Sequence, residues 1–110
     1  MRNSNPGEPV SLDLLESQAR GQYDASRFQA AIELFDEVVT RMEGDLGPDH
    51  PRTLANRNDL ARACRAAGRF DRALSLYRQI LDLLVRQLGP DHPDALRGRS
   101  RIANTYYSAG

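Results

Sequence analysis

The six residues Leu46-Gly47-Pro48-Asp49-His50-Pro51 return unchanged as Leu88-Gly89-Pro90-Asp91-His92-Pro93, a shift of 42 positions. The flanking segments superpose at the same shift. Leu54 falls on Leu96, Ala61 on Ala103 and Gly68 on Gly110, while Phe28, Ala31, Phe35 and Val38 fall on Phe70, Ala73, Tyr77 and Ile80. One interval earlier the tract is degraded to Ser4-Asn5-Pro6-Gly7-Glu8-Pro9, with both prolines in place. A recurrence of this length marks stacked units, each burying its apolar face only against its neighbours. The chain reads as about two and a half copies of one unit.

Between the tracts the apolar residues recur at steps of three and four, the signature of amphipathic helices. Five are expected, over residues 9–23, 27–44, 51–66, 70–87 and 93–108. Their inward positions read as Leu12, Leu15 and Ala19; Phe28, Ala31, Ile32, Phe35, Val38, Val39 and Met42; Leu54, Leu60, Ala61 and Cys64; Phe70, Ala73, Leu74, Tyr77, Ile80, Leu81, Leu84 and Leu88; and Leu96, Ile102, Ala103 and Tyr106. Asp24-Ala25-Ser26 and Gly68 make short turns. Gly44 and Gly47 are read as stopping the second helix. Asp49 or His50 can cap the third, and Pro51 presets its first turn. The leucine of the tract can pin the turn to the core. Small residues at Ala19, Ala31, Ala61, Ala73 and Ala103 fall where helix axes pass closely. With no strand-like segment, the fold class is all-α: antiparallel helix pairs built into a solenoid. Residues 1–8 are a flexible end, 9–110 the array, with units at about 9–50 and 51–92 and a half unit at 93–110.

A chain of 110 residues makes one domain. Fifteen acidic residues cancel fifteen basic ones, which argues against nucleic acid and anionic membranes as partners. The basic residues are all arginine, so each can clamp a carboxylate bidentately. One cysteine, no long apolar run and a polar start at Met1-Arg2-Asn3-Ser4 point to a cytoplasmic chain without internal disulfide, membrane span or signal peptide.

The run Leu54-x5-Leu60-Ala61-x6-Gly68-Arg69-Phe70-x2-Ala73-x3-Tyr77 resembles the tetratricopeptide repeat. The 42-residue period and the Leu-Gly-Pro-Asp-His-Pro linker resemble its longer, kinesin-light-chain-type variety. The resemblance extends over nearly the whole chain. It implies a right-handed superhelix in which the first helix of each unit lines a concave groove that holds a peptide. Carried over by position, that groove presents Glu16, Ser17, Arg20 and Tyr23, then Asn58, Asp59, Arg62 and Arg65, then Ser100, Arg101, Asn104 and Tyr107. The helical reading also makes these positions polar. The family often places an asparagine just before the Leu-Ala pair; here Ser17, Asp59 and Arg101 stand there, so an asparagine ladder gripping a ligand backbone is not expected.

Arg20, Arg62, Arg65 and Arg101 outnumber Glu16 and Asp59, so an acidic peptide or a C-terminal carboxylate is the natural complement. The same arginines could instead pair with those carboxylates. No cluster supports an enzyme, a cofactor or a metal. His50 and His92 occupy matching turns, which repeat geometry holds apart, whereas a metal wants convergent ligands. Cys64 sits at an inward position and reads as packing. Asp36 and Glu37 read as a solvated face. Two functions stand: a scaffold binding a protein or peptide partner, and a structural piece of a larger bacterial signalling or regulatory protein. In the second, the half unit at 93–110 leaves Ile102 and Tyr106 uncovered and invites self-association.

Overall fold

Each repeated tract stops one helix and starts another, and the atoms responsible are visible in the computed structural model, which describes residues 10–110. Gly47 and Gly89 take φ of 96° and 97°, a region glycine enters without a Cβ penalty. Three residues on, the Nδ1 atoms of His50 and His92 accept the backbone N–H of Arg52 and Asp94, both at 3.1 Å. Histidine rather than aspartate is therefore the cap, and Pro51 and Pro93 follow in the first turn. Among the described residues five helices result: α1 Leu12–Asp24, α2 Phe28–Leu46, α3 Pro51–Ala66, α4 Phe70–Leu88 and α5 Pro93–Ala109.

Several boundaries differ from expectation, most by a single residue. The Ser11 side chain accepts the Leu14 N–H, so α1 begins at Leu12; its expected start at Pro9 and the flexible end over 1–8 lie outside the described residues. α2 runs through Gly44 to Leu46, because an exposed glycine weakens a helix without ending it, and the stop is Gly47. α4 likewise continues to Leu88. Leu46 and Leu88 remain exposed, so they do not pin the turns.

The α2 stripe is buried as read, from Ala31 through Met42. In α4 the buried set is Ala73, Leu74, Tyr77, Ile80 and Leu83; Leu83 was missed, and Leu81 and Leu84 are only half-buried. Ala19, Ala31, Ala61 and Ala73 are fully buried, as close helix crossings demand. α5 departs from its pattern. Its buried residues are Ala95, Gly98 and Thr105, while Leu96 and Tyr106 are half-exposed and Ala103 is exposed. On α3 the matching Ala61 and Cys64 join one cluster with Ala73 and Tyr77 of α4. No described helix plays that part for α5.

Each helix packs chiefly on its neighbours in sequence, α1 on α2 through to α4 on α5. That linear order stretches the molecule to 48 × 31 × 19 Å with a radius of gyration of 15.0 Å, against about 13 Å for a compact chain of this length. Asp36, read as solvated, instead pairs with Arg72 and ties α2 to α4, with one bond of 3.0 Å. Cys64 is fully buried, and burial raises its thiol pKa, so it packs as a protonated thiol.

Candidate functional site

The polar positions of α1 and α3 form one connected seam. Arg20 Nη2 donates to Glu16 Oε2 at 3.5 Å and to Asp59 Oδ2 at 3.4 Å. Arg62 Nη1 donates to the other oxygen of Asp59 at 3.4 Å, and its guanidinium lies 5.0 Å over the Tyr23 ring. Tyr23 in turn meets Phe28 edge-on at 5.3 Å. A cavity of about 120 Å³ opens here, lined by Arg20, Tyr23, Asp24, Phe35, Asp59 and Arg62.

Glu16 lies deeper than its neighbours, its side chain only 13% exposed. One oxygen accepts Arg52 Nη2 at 3.0 Å and the other Asn56 Nδ2 at 2.6 Å. Arg52 also pairs with Asp13, and Asn56 Nδ2 reaches the Arg52 carbonyl at 3.0 Å and Met42 Sδ at 3.5 Å. Burial alone would raise the Glu16 pKa. The hydrogen bonds from Asn56 and Arg52, with the charges of Arg20 and Arg52, outweigh it and hold the carboxyl below its ordinary value. The hydrogen bonds to Glu16 and Asp13 in turn raise the pKa of Arg52. Arg52 and Asn56 were missed in the sequence: their partners lie 36 and 40 positions away, and no local pattern announces such pairing.

The α3–α5 side is built differently. Arg65 Nε donates to Ser108 Oγ at 3.2 Å. Ser100, Asn104 and Tyr107 are exposed, Tyr107 by 90%. Arg101 is half-buried; its carbonyl accepts the Thr105 hydroxyl at 2.7 Å, but its guanidinium makes no hydrogen bond or ion pair among the described residues. Burial pushes the Tyr77 phenol up, a shift that the charges of Arg101, Arg65 and Arg62 oppose. Asn58 and Arg101 line a cleft of about 430 Å³ between α3 and α5, floored by Leu54, Ile80, Leu84 and Leu88. The structure thus joins Glu16, Arg20, Tyr23, Asp59 and Arg62 in the first seam and brings Asn58 and Arg101 to the second.

Two further arginines repeat at the 42-residue shift. Arg57 Nη1 donates to the Pro48 carbonyl at 3.2 Å, and Arg99 Nη1 to the Pro90 carbonyl at 2.6 Å. Their recurrence nine residues after each proline was the signal that could have found them. They brace the tract, and Arg57 also holds Glu43 through Nε at 3.1 Å. With Nδ1 engaged as a cap, His50 and His92 belong to the same joint. Among the described residues no group of three or more His, Cys, Asp or Glu is placed to hold a metal ion, and no helix is long and apolar enough to cross a membrane.

Stacked helix pairs that align a polar face from the first helix of every unit define a helical-repeat scaffold. The tetratricopeptide repeat family model matches residues 12–84, and the chain belongs to that family. It is similar to the nearly identical TPR-like repeats of a candidate kinesin light chain from Podosopora anserina. The identity is 28% and the TM-score 0.78, covering 96% of this chain and 50% of that one. A single-substitution form of those repeats gives 30% and 0.78, covering 92% and 48%. The chain therefore spans about half the length of these structures. No curated protein matches it. Tetratricopeptide repeats generally serve as protein-interaction scaffolds.

Proposed function

We propose that the face formed by α1, α3 and α5 holds a short, acidic segment of a protein partner. One observation carries the acidic preference. Arg20 and Arg62 share the carboxylates of Glu16 and Asp59, whereas Arg65 and Arg101 have no carboxylate partner among the described residues. Two cations left over on one face favour a carboxylate-bearing ligand by charge-assisted hydrogen bonds. Ser100, Asn104 and Tyr107 extend that face with exposed polar groups. The test is fluorescence polarisation with a labelled acidic peptide pool. Arg65→Ala with Arg101→Ala should weaken binding roughly tenfold, since a charged hydrogen bond contributes about 1.5 kcal/mol or more, while the circular dichroism stays that of the parent. Unchanged binding in the folded double variant would sink the reading.

Self-association through α5 is the second reading. Leu96 and Tyr106 stand half-exposed on α5, where the matching stretch of α3 is packed against α4. Multi-angle light scattering over a concentration series decides it: a mass rising towards twice that of the chain supports association, and a constant monomer mass excludes it.

A further inference from the structure

The two intervals between first helices are built from one template but sealed differently. Between α1 and α3, Arg52 crosses to Asp13 and Glu16, and Asn56 donates to Glu16, so the seam is bridged by side chains. At the 42-residue shift, Asp13, Glu16, Arg52 and Asn56 become Ala55, Asn58, Asp94 and Gly98. Every bridging group is lost. Asp94 is too short to cross and pairs with Arg97 of its own helix. Gly98 offers no side chain, and a Cβ there would meet Leu81 Cδ1 at 3.3 Å, so α5 settles close to α4 at that point.

What remains is the cleft of about 430 Å³, and it shows what it lacks. Asn58 Oδ1 is buried without a hydrogen-bond partner among the described residues, because the donor that Asn56 supplies to Glu16 has been replaced by Gly98. Asn56 Oδ1 is also unpaired, but its Nδ2 is engaged in the bridged seam. The floor of Leu54, Ile80, Leu84 and Leu88 is apolar, and Arg101 stands at the rim where Asp59 stands in the first interval.

We infer that the α3–α5 cleft is a peptide subsite that takes a leucine-sized side chain followed by a carboxylate: the side chain on the Leu54–Ile80–Leu84–Leu88 floor, a backbone amide on Asn58 and the carboxylate on Arg101. This rests on the reading of the α1–α3–α5 face as a peptide groove and locates selectivity within it. A side-chain amide suits a peptide backbone, which offers both a donor and an acceptor. The floor accounts for an apolar anchor, which charge alone does not.

The probe is the acetylated hexapeptide Ser-Gly-Leu-Asp-Gly-Ser, titrated into 15N-labelled protein and followed by amide chemical shifts. Shifts should centre on Asn58, Leu84 and Arg101. Arg101→Ala should weaken binding roughly five- to tenfold, and serine in place of the peptide's leucine should abolish it. The paired change Asn58→Glu with Asp94→Arg copies the Glu16–Arg52 bridge into the second interval and should close the cleft, weakening binding more than tenfold while the amide spectrum stays dispersed. Binding that shifts only the α1–α3 face around Arg62 and ignores both Arg101→Ala and the bridging pair would overturn the subsite and leave the groove standing. No shifts at millimolar peptide would overturn the subsite too, the groove being judged separately by the acidic pool.

Discussion

Glu16 is where a polar position turns out to be a structural one. Its spacing on α1 marks it as facing away from the apolar stripe, and that much is readable from the sequence. Whether a polar face meets solvent or another polar face is not, because Arg52 and Asn56 arrive from the next unit. The depressed pKa of Glu16 has a consequence for stability. A carboxyl whose folded pKa lies below its unfolded value stabilises the fold above the unfolded value, near 4.5, and loses that contribution as pH falls through the folded value. The melting temperature should therefore drop as pH is lowered from about 5 to about 3. Glu16→Gln should melt lower at pH 7, by the equivalent of about 1–3 kcal/mol, and should show a shallower acid loss; thermal circular dichroism across that range checks both.

Elements are set by a few backbone positions that sequence spacing identifies and chemistry ranks. Gly44 and Gly47 look alike in the sequence. Gly44 sits in α2 with open space around it, while Gly47 takes φ 96° and ψ 154°, a conformation almost confined to glycine. Gly44→Ala should raise stability by up to about 1 kcal/mol, and Gly47→Ala should lower it by about 1–3 kcal/mol; urea midpoints distinguish them. The turn before α2 makes a related point. Ser26 takes φ 61° at the place of Gly68, held by Ser26 N–H to Tyr23 O at 2.9 Å and Arg27 N–H to Gln22 O at 2.8 Å. Those two bonds form a Schellman cap, which secures the left-handed conformation without glycine.

At the scale of the whole molecule, each helix leans chiefly on its neighbours in sequence. α1 to α4 each contribute to a buried cluster, whereas α5 buries only Ala95, Gly98 and Thr105. The amides of α5 should exchange with deuterium at least tenfold faster than those of α2 and α3, as the element with the fewest buried apolar groups opens first. Uniform protection along the chain, read by NMR or mass spectrometry, would contradict a neighbour-by-neighbour solenoid.

The 42-residue recurrence and the three-and-four spacing determined the number of helices, their order, and most of the α2 and α4 cores, but only half of the α3 core, where Thr53, Asn56 and Ala63 are buried as well. Local chemistry was enough, since caps, turns and apolar stripes are short-range and each unit repeats them. That Glu16, Arg20, Asp59 and Arg62 turn away from the apolar stripes was legible for the same reason. Only the tertiary structure decided which polar groups are spent on one another and which stay open. It paired Arg20 and Arg62 with Glu16 and Asp59, left Arg101 and Asn58 beside a cleft, and exposed Leu96 and Tyr106 although their spacing reads as core. Burial and ion pairing depend on what stands opposite a side chain, and in a solenoid that neighbour is supplied by the adjoining unit.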